Sequence, residues 1–291
     1  MAEQLKYVSA IGTEIIFSET SKYKWTNADD LGSNSATFQT ISSPFQDGTS
    51  LVGDMYFESK EITVEFYILS DDLIEDFRTL NQVLNPKLGV GRLEYTRGGI
   101  TYVLDQVNAK VMPSLPGLED RGLTYQKSAV IFEVFNPLYS DQSFTLNVVG
   151  TGQNLFTFPL QITDDFVFGT LNTSGVILNN IGDIPAPIKV VIPGAVSAPL
   201  TILNETTGEK IVLGLDLTSD EILTITTDVT NTNVIKTTIS TDVDEVAFNY
   251  IDITQTTFFQ LARGNNSILV TSAGGDIVGT EVSYKNYYVG V

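Results

Sequence analysis

The sequence predicts a mainly β protein of two domains, an N-terminal α+β domain with one helix followed by a C-terminal all-β sandwich. Its 291 residues suffice for two ordinary domains, each with a core of its own. Apolar residues alternate with polar ones through both halves, whereas a helical period occurs once. The stretch Asn179–Gly194 (NNIGDIPAPIKVVIPG) opens the core of the second domain, because Pro185 and Pro187 stiffen the approach to an alternating strand.

These patterns predict domain boundaries. We expect a first domain at 1–145, a connecting segment at 146–175 and a second domain at 176–291.

The chain contains no cysteine and no histidine, which excludes Cys/His zinc sites, Cys nucleophiles and Ser-His-Asp triads. Carboxylate, Lys or Tyr chemistry and oxygen-ligated metals remain, but no motif for them stands out. The sequence therefore predicts a protein that is not an enzyme, with no catalytic residue, no cofactor and no metal.

The formal net charge is −19, shared almost equally between the halves. Binding to phosphate backbones and to anionic membranes needs Lys and Arg, so we expect no specific nucleic-acid binding.

The beginning of the chain lacks the basic and apolar regions of a signal peptide, and no run of ~18 apolar residues occurs. We expect synthesis in the cytoplasm and no membrane segment.

The first half begins with one or two short strands between Leu5 and Phe17. Trp25, the one tryptophan, is interpreted as a core or interface anchor rather than a ligand platform. From Asp29 to Gly53 the chain is polar and small, which predicts a long loop or a projecting arm that includes Asp47.

Glu61–Leu69 alternates cleanly, with Ile62, Val64, Phe66 and Ile68 on one face. The next segment, 71–85, has helical spacing at Leu73, Phe77, Leu80 and Leu84, and we expect it to lie across that sheet. A hairpin around Gly98 and Gly99 and a long strand from Leu123 to Phe135 complete the domain.

The doublets Asp29-Asp30 and Asp71-Asp72 could be proposed as metal ligands or an acid/base pair. A structural role is the better interpretation, because Asp71-Asp72 stands where a helix N-terminus needs acceptors. Asp183, Asp276 and Glu281 could suggest calcium, but their positions are typical of turns.

The connecting segment contains regularly spaced aromatic residues, among them Phe156 and Phe158, which we expect to pack against a neighbour. Beyond it, turn signals separate short alternating runs, which predicts a β-sandwich or jelly roll. The runs are centred near Ile188, Leu200, Ile211, Ile222, Val234, Val246, Ile268 and Val282.

Sandwiches of this kind often bind carbohydrate through exposed aromatic platforms. This half has no tryptophan, and core packing is the better interpretation of its aromatic residues. The candidates for platforms are Tyr250, Phe258, Phe259, Tyr284, Tyr287 and Tyr288.

Taken together, the residues resemble the distal tail proteins of long-tailed bacteriophages, the siphovirus-type tail component family. In the second half the resemblance is carried by Phe156-Thr-Phe158-Pro159, Phe168-Gly169, Asn179–Asp183, Ile188–Gly194, Pro199–Ile202, Asn204–Glu209, Leu217–Ile225, Leu261–Asn266 and Val282–Val291. In the first half it is carried by Gln46-Asp47-Gly48, by the single helix, by Asn136-Pro137 and by Lys60-Glu61-Ile62, where the family often has Arg in place of Lys60.

The resemblance implies a structural hub at the virion tail tip. In such proteins a split-barrel N-terminal domain with its helix forms a hexameric ring, and a galectin-like sandwich projects outward. The ring, alone or stacked, would join the tail tube protein to baseplate or tail-associated proteins and leave a channel for DNA. A receptor-binding protein or a host glycan could attach to the sandwich.

We therefore expect interaction residues and no catalytic site. The candidates are Trp25, Asp47, Phe156, Phe158, Tyr284 and Tyr288. The alternative hypotheses are a carbohydrate-binding accessory protein for host adsorption and, more remotely, a carboxylate glycosidase.

Overall fold

The computed structural model of the chain describes residues 3–45, 47–149, 175–275, 277 and 279–291. Two compact units form: unit 1 comprises Met1–Gln142 with Tyr287–Val291, and unit 2 comprises Ser143–Asn286. The prediction of a mainly β fold with one α-helix is confirmed for the described residues.

Unit 1 is built on a closed barrel. Its elements up to the boundary are β1 (Gln4–Val8), β2 (Glu14–Ser18), β3 (Tyr23–Asp29), β4 (Ala36–Thr37), β5 (Thr40–Ile41), β6 (Ser50–Leu51), β7 (Tyr56–Phe57), β8 (Lys60–Leu69), α1 (Leu73–Val83), β9 (Gly91–Arg97), β10 (Ile100–Val111), β11 (Tyr125–Val134) and β12 (Tyr139–Asp141). Single 3₁₀ turns lie at Pro86–Leu88 and Leu118–Asp120.

Seven strands close the barrel in the order β11-β8-β3-β2-β1-β9-β10, and β10 pairs with β11 to complete the circle. Only β2 and β3 pair in parallel in this barrel. The residues Ile62, Val64, Phe66 and Ile68 of β8 all point inward, as their alternation predicts. Inside, the Phe66 ring packs against the ring of Phe17, with 4.9 Å between centroids.

Helix α1 lies against the barrel core through the predicted face. Leu80 and Leu84 are fully buried, and Leu73 and Phe77 pack beside them. Asp72 caps the helix, because its Oδ1 accepts a hydrogen bond from the Glu75 amide at 3.2 Å. The predicted glycine hairpin also forms between β9 and β10.

Unit 2 is a sandwich of two larger sheets and a two-stranded ribbon. Its strands are β13 (Thr145–Val149), β14 (Gly175–Asn180), β15 (Ile188–Pro193), β16 (Val196–Ser197), β17 (Leu200–Asn204), β18 (Lys210–Leu213), β19 (Glu221–Thr226), β20 (Asn233–Thr238), β21 (Val243–Val246), β22 (Gly264–Thr271), β23 (Gly274–Gly275) and β24 (Thr280–Tyr284). A single 3₁₀ turn lies at Phe248–Tyr250.

The larger sheet has the order β13-β24-β15-β19-β20-β21 and the smaller β14-β22-β17-β18. All eight alternating runs expected from the sequence are strands. Strand β13 lies in the sheet although sequence analysis assigned most of it to the connecting segment. Its pairing partner β24 is more than 100 residues away, so nothing in the local pattern shows the pairing.

Buried asparagines hold the turns of unit 2. Asn180 donates to the carbonyls of Ile184 (2.9 Å) and Leu261 (3.0 Å) and accepts from the Gly182 amide. Asn204 and Asn266 are fully buried and hydrogen-bonded to each other. Since all three lie in the stretches that carry the family resemblance, those stretches are turn-forming motifs with buried amide side chains.

A last strand, β25 (Tyr287–Tyr288), belongs to unit 1 and pairs with β12. It extends the barrel sheet to the order β10-β12-β25. The closing residues of the sequence are therefore part of unit 1, although unit 2 precedes them along the chain.

Candidate functional site

A long arm leaves the barrel between β3 and β8. Within residues 30–59, here called the arm, β4 pairs with β7 and β5 pairs with β6 as a narrow antiparallel ribbon. The Glu58 amide donates to the Ser35 carbonyl at 3.0 Å and the Val52 amide to the Gln39 carbonyl at 2.7 Å. The arm is thus longer than the Asp29–Gly53 stretch expected from the sequence, and part of it is β-structure.

The arm exposes large apolar side chains along its length. Phe38 and Ile41 are each 57% exposed, although both belong to residue types that normally lie in cores. The complete set of exposed large apolar residues in the arm is Phe38, Ile41, Phe45, Leu51, Val52, Met55, Tyr56 and Phe57. A two-stranded ribbon without a core is marginally stable in water, and so large an apolar surface is typical of an interaction site.

The arm is also uniformly acidic. It contains Asp30, Asp47, Asp54 and Glu58 and neither Lys nor Arg. Like charges on a narrow ribbon repel one another in the free protein. A surface that covers the arm has to supply apolar contacts in its centre and polar or basic groups at its rim.

The base of the arm is anchored by a buried lysine. Lys60, the first residue of β8, is only 8% exposed, and its Nζ donates to the Ser33 carbonyl at 2.9 Å and to Tyr139 Oη at 3.2 Å. The same Tyr139 oxygen accepts a hydrogen bond from the Gly32 amide at 2.8 Å. Lys60 of β8 and Tyr139 of β12 therefore hold the base of the arm by hydrogen bonds to its backbone.

Burial perturbs both side chains of this anchor. Desolvation lowers the pKa of Lys60 to about 8, and the negative charge of Asp30 opposes that shift. Burial raises the pKa of Tyr139 to about 12, partly offset by the hydrogen bond from the Gly32 amide. At neutral pH the anchor is therefore a charged lysine beside a neutral phenol.

The anchor predicts a pH-dependent stability of unit 1. The pKa of Lys60 is about 8 when folded, against a model-peptide value of 10.5, so between these values the unfolded chain binds more protons. Stability should therefore rise with pH, by about 1 to 2 kcal/mol between pH 7.5 and 9.5. Urea unfolding followed by Trp25 fluorescence at both pH values measures this change for unit 1.

Lys60→Met is the control, because it keeps the aliphatic length and removes the titrating amine. As pH rises, the free energy of unfolding should increase more for the natural chain than for the variant. An equal pH dependence in the two proteins would contradict the role given to Lys60.

The structure places four of the six candidate interaction residues. Trp25 is half-buried, with its ring edge-on to Tyr95 at 6.2 Å, and Asp47 is exposed in the arm. Tyr284 is only 4% exposed and its Oη donates to the Asn179 carbonyl at 2.9 Å. Tyr288 is half-buried in β25. Phe156 and Phe158 lie outside the described residues.

The candidates belong to different elements and to both units. Asp47 is in the apolar arm, Tyr288 is near the arm's base, and Tyr284 belongs to the core of unit 2. None of the six aromatic residues considered as sugar platforms is exposed. Phe259 and Tyr284 are buried, and Tyr250, Phe258, Tyr287 and Tyr288 are half-buried.

The carboxylates considered as metal ligands form no cluster in the described ranges. Asp72 caps helix α1, and no group of three or more His, Cys, Asp or Glu side chains among the described residues could hold a metal ion. Asp276 lies outside those ranges.

In the sequence, Lys60 stands out only as a departure from a family pattern that often has Arg at this place. Its position in the alternation shows more, since it has the same parity as Ile62 and Val64 and therefore points inward. Ser33 and Tyr139 were not identified, because they meet Lys60 only through tertiary contacts.

A family model confirms the resemblance for the second unit. Residues 181–288 match the model described as the siphovirus-type tail component, C-terminal domain. No curated protein sequence matches the chain. Among the helices of the described residues, none has the length and apolar character needed to cross a bilayer.

Solved structures show the same fold over the whole chain. One is the SPP1 Dit protein (gp 19.1), described as a paradigm of the hub adsorption apparatus in phages that infect Gram-positive bacteria. The TM-score is 0.64 at 11% identity, and the match covers 99% of each chain. Two others come from the phage P2 baseplate in its activated conformation. With Ca the TM-score is 0.59 at 14% identity over 100% of each chain, and with Sr it is 0.55 at 13% over 99% of each.

Proposed function

We propose that the chain is a structural hub of a phage tail tip. Its second unit matches the C-terminal domain of the siphovirus-type tail components. The observation that carries the proposal is the fold similarity to a phage adsorption hub over 99% of both chains. In this role the protein joins the tail tube to baseplate or tail-tip and receptor-binding proteins. Its place is the virion tail tip, and its role needs no catalytic activity.

The arm supports assembly into a ring. Its eight exposed apolar side chains are not covered by the rest of unit 1, and a neighbouring copy that buries them would remove this apolar surface from water. If the arm of one copy docks on a different surface of the next copy, the contact is heterologous and closes into a ring when the rotation allows. Six copies is the number that we propose, with stacking of two rings as the larger assembly.

Native mass tests this proposal directly. Light scattering or native mass spectrometry of the full chain should give six or twelve copies of the 31.8 kDa chain. A protein that stays monomeric at concentrations of about 100 µM would contradict a ring that forms from this chain alone.

The charge of the chain supports a channel for DNA. A net charge of −19 leaves few Lys and Arg side chains to bind phosphates, so DNA could slide past without being retained. An electron cryo-microscopy structure of the ring should show a lumen with an excess of Asp and Glu. A lumen rich in Lys and Arg would contradict this part of the proposal.

A further inference from the structure

The base of the arm packs directly on the closing residues of the sequence. Asn34 Nδ2 donates to the Val289 carbonyl at 2.7 Å. A Cβ atom added to Gly290 would lie 2.6 Å from the Gly32 carbonyl oxygen, and one added to Gly32 would lie 3.1 Å from that of Val291. The two backbones are therefore so close that Gly290 has no room for a side chain.

The closing residues are themselves fastened to the barrel sheet. In the β12–β25 ladder, Tyr288 is opposite Tyr139 and Tyr287 is opposite Ser140. Tyr288 Oη donates to Asp141 Oδ1 at 3.0 Å, and its ring is edge-on to that of Tyr102 at 5.4 Å. The segment is thus fixed at its beginning before it reaches the arm.

Tyr139 connects the two sets of contacts. It is fully buried, it is opposite Tyr288 in the ladder, and its Oη accepts from the Gly32 amide and from Lys60 Nζ. The base of the arm is therefore enclosed between Lys60 and Tyr139 on one side and the closing residues on the other.

From this enclosure we infer that Tyr287–Val291 is a strap that fixes the direction in which the arm leaves the barrel. Without it, Lys60 and Tyr139 alone would hold the base, and the arm would sample many directions. A held arm loses less conformational freedom when it docks, so the strap favours association. The strap as a restraint stands on these contacts alone, whereas its effect on assembly rests on the proposed ring.

Gly290→Ala tests the strap with the least disturbance, because the added methyl group collides with the Gly32 carbonyl. Gly214→Ala is the matched control, since the nearest atom to its Cβ would be the Tyr250 carbonyl oxygen at 3.9 Å. Truncation after Asn286 is the second variant and removes the strap altogether. Hydrogen exchange followed by mass spectrometry reports on peptides at the arm base, residues 30–36, and on β8.

The base peptides should exchange at least tenfold faster in Gly290→Ala and in the truncated chain, with β8 unchanged and Gly214→Ala like the natural protein. Unchanged exchange at the base in both variants would overturn the strap. This readout holds whether or not the natural chain forms a ring, so it separates failure of the strap from failure of the proposed function.

Native mass against concentration then tests the assembly role. Both strap variants should need at least tenfold more protein for half-assembly. A loosened base with unaltered assembly would overturn the strap's role in the ring.

Discussion

Removing the paired part of the arm is expected to convert the proposed ring into monomers that keep their fold. The deletion can begin at Ala36 and end at Phe57, because these two residues are opposite each other in the ladder. The Glu58 amide also bonds to the Ser35 carbonyl. Replacing 36–57 with Gly-Gly therefore joins two ends that are adjacent. Native mass spectrometry should show a single chain for this variant and the proposed six or twelve copies for the natural protein.

The fold should survive because residues 36–57 contribute no side chain to the barrel core. Trp25 fluorescence and far-UV circular dichroism are expected to show an unfolding midpoint close to that of the natural chain. A deletion variant that still assembles fully would contradict the role of the arm, whereas one that unfolds would show that the arm supports the barrel.

Substitutions separate apolar contact from arm length. Phe38→Ser with Ile41→Ser removes two exposed apolar side chains, and each is worth about 1.5 to 3 kcal/mol if buried at an interface. The double variant should therefore need at least a hundredfold more protein to assemble. Ser42→Ala with Ser43→Ala is the matched control, because both serines are exposed in the same arm, and it should assemble normally.

Local patterns were sufficient for the elements that bury one face. The alternation of β8 and the helical spacing of α1 each specify which side chains face the core. The structure buries those of β8 together with Leu80 and Leu84, and packs Leu73 and Phe77 against the core. The same parity rule predicts that Lys60 points inward. A charged residue at an inward position was thus the one local signal of the arm's anchor.

Long-range pairing could not be predicted in the same way. The barrel closes where β10 meets β11, and its sheet is extended by β25 from the end of the sequence. Short segments such as Tyr287–Tyr288 have no period of their own, so their partner depends on the tertiary fold. The strap and Tyr139 were missed for that reason.

The buried asparagines of unit 2 are a third case. The sequence shows asparagines in turn motifs, but it does not show that their side chains are buried. Asparagine is usually exposed, so turns containing it are normally interpreted as surface features. In this fold Asn204 and Asn266 are fully buried. Their amide groups satisfy backbone groups that would otherwise be without hydrogen bonds, so we expect these turns to tolerate few other residues.

Asn266→Ala is accordingly expected to destabilise unit 2 by about 3 kcal/mol or more. Asn266 Oδ1 accepts from the Ala262 amide at 3.0 Å and from Asn204 Nδ2 at 3.2 Å, and its Nδ2 donates to the Ala262 (2.7 Å) and Gly264 (3.0 Å) carbonyls. Alanine would leave the buried Asn204 amide and the part-buried backbone groups of Ala262 and Gly264 without these partners. Urea unfolding followed by far-UV circular dichroism measures the loss.

Asn265→Ala is the matched control, because this neighbouring asparagine is exposed, and it should change stability by no more than about 0.5 kcal/mol. Trp25, the one tryptophan, lies in unit 1, so its fluorescence separates the two units. A destabilised unit 2 lowers the circular dichroism midpoint more than the fluorescence midpoint. Equal effects of Asn266→Ala and Asn265→Ala would contradict the role given to the buried amide of Asn266 in holding the sandwich together.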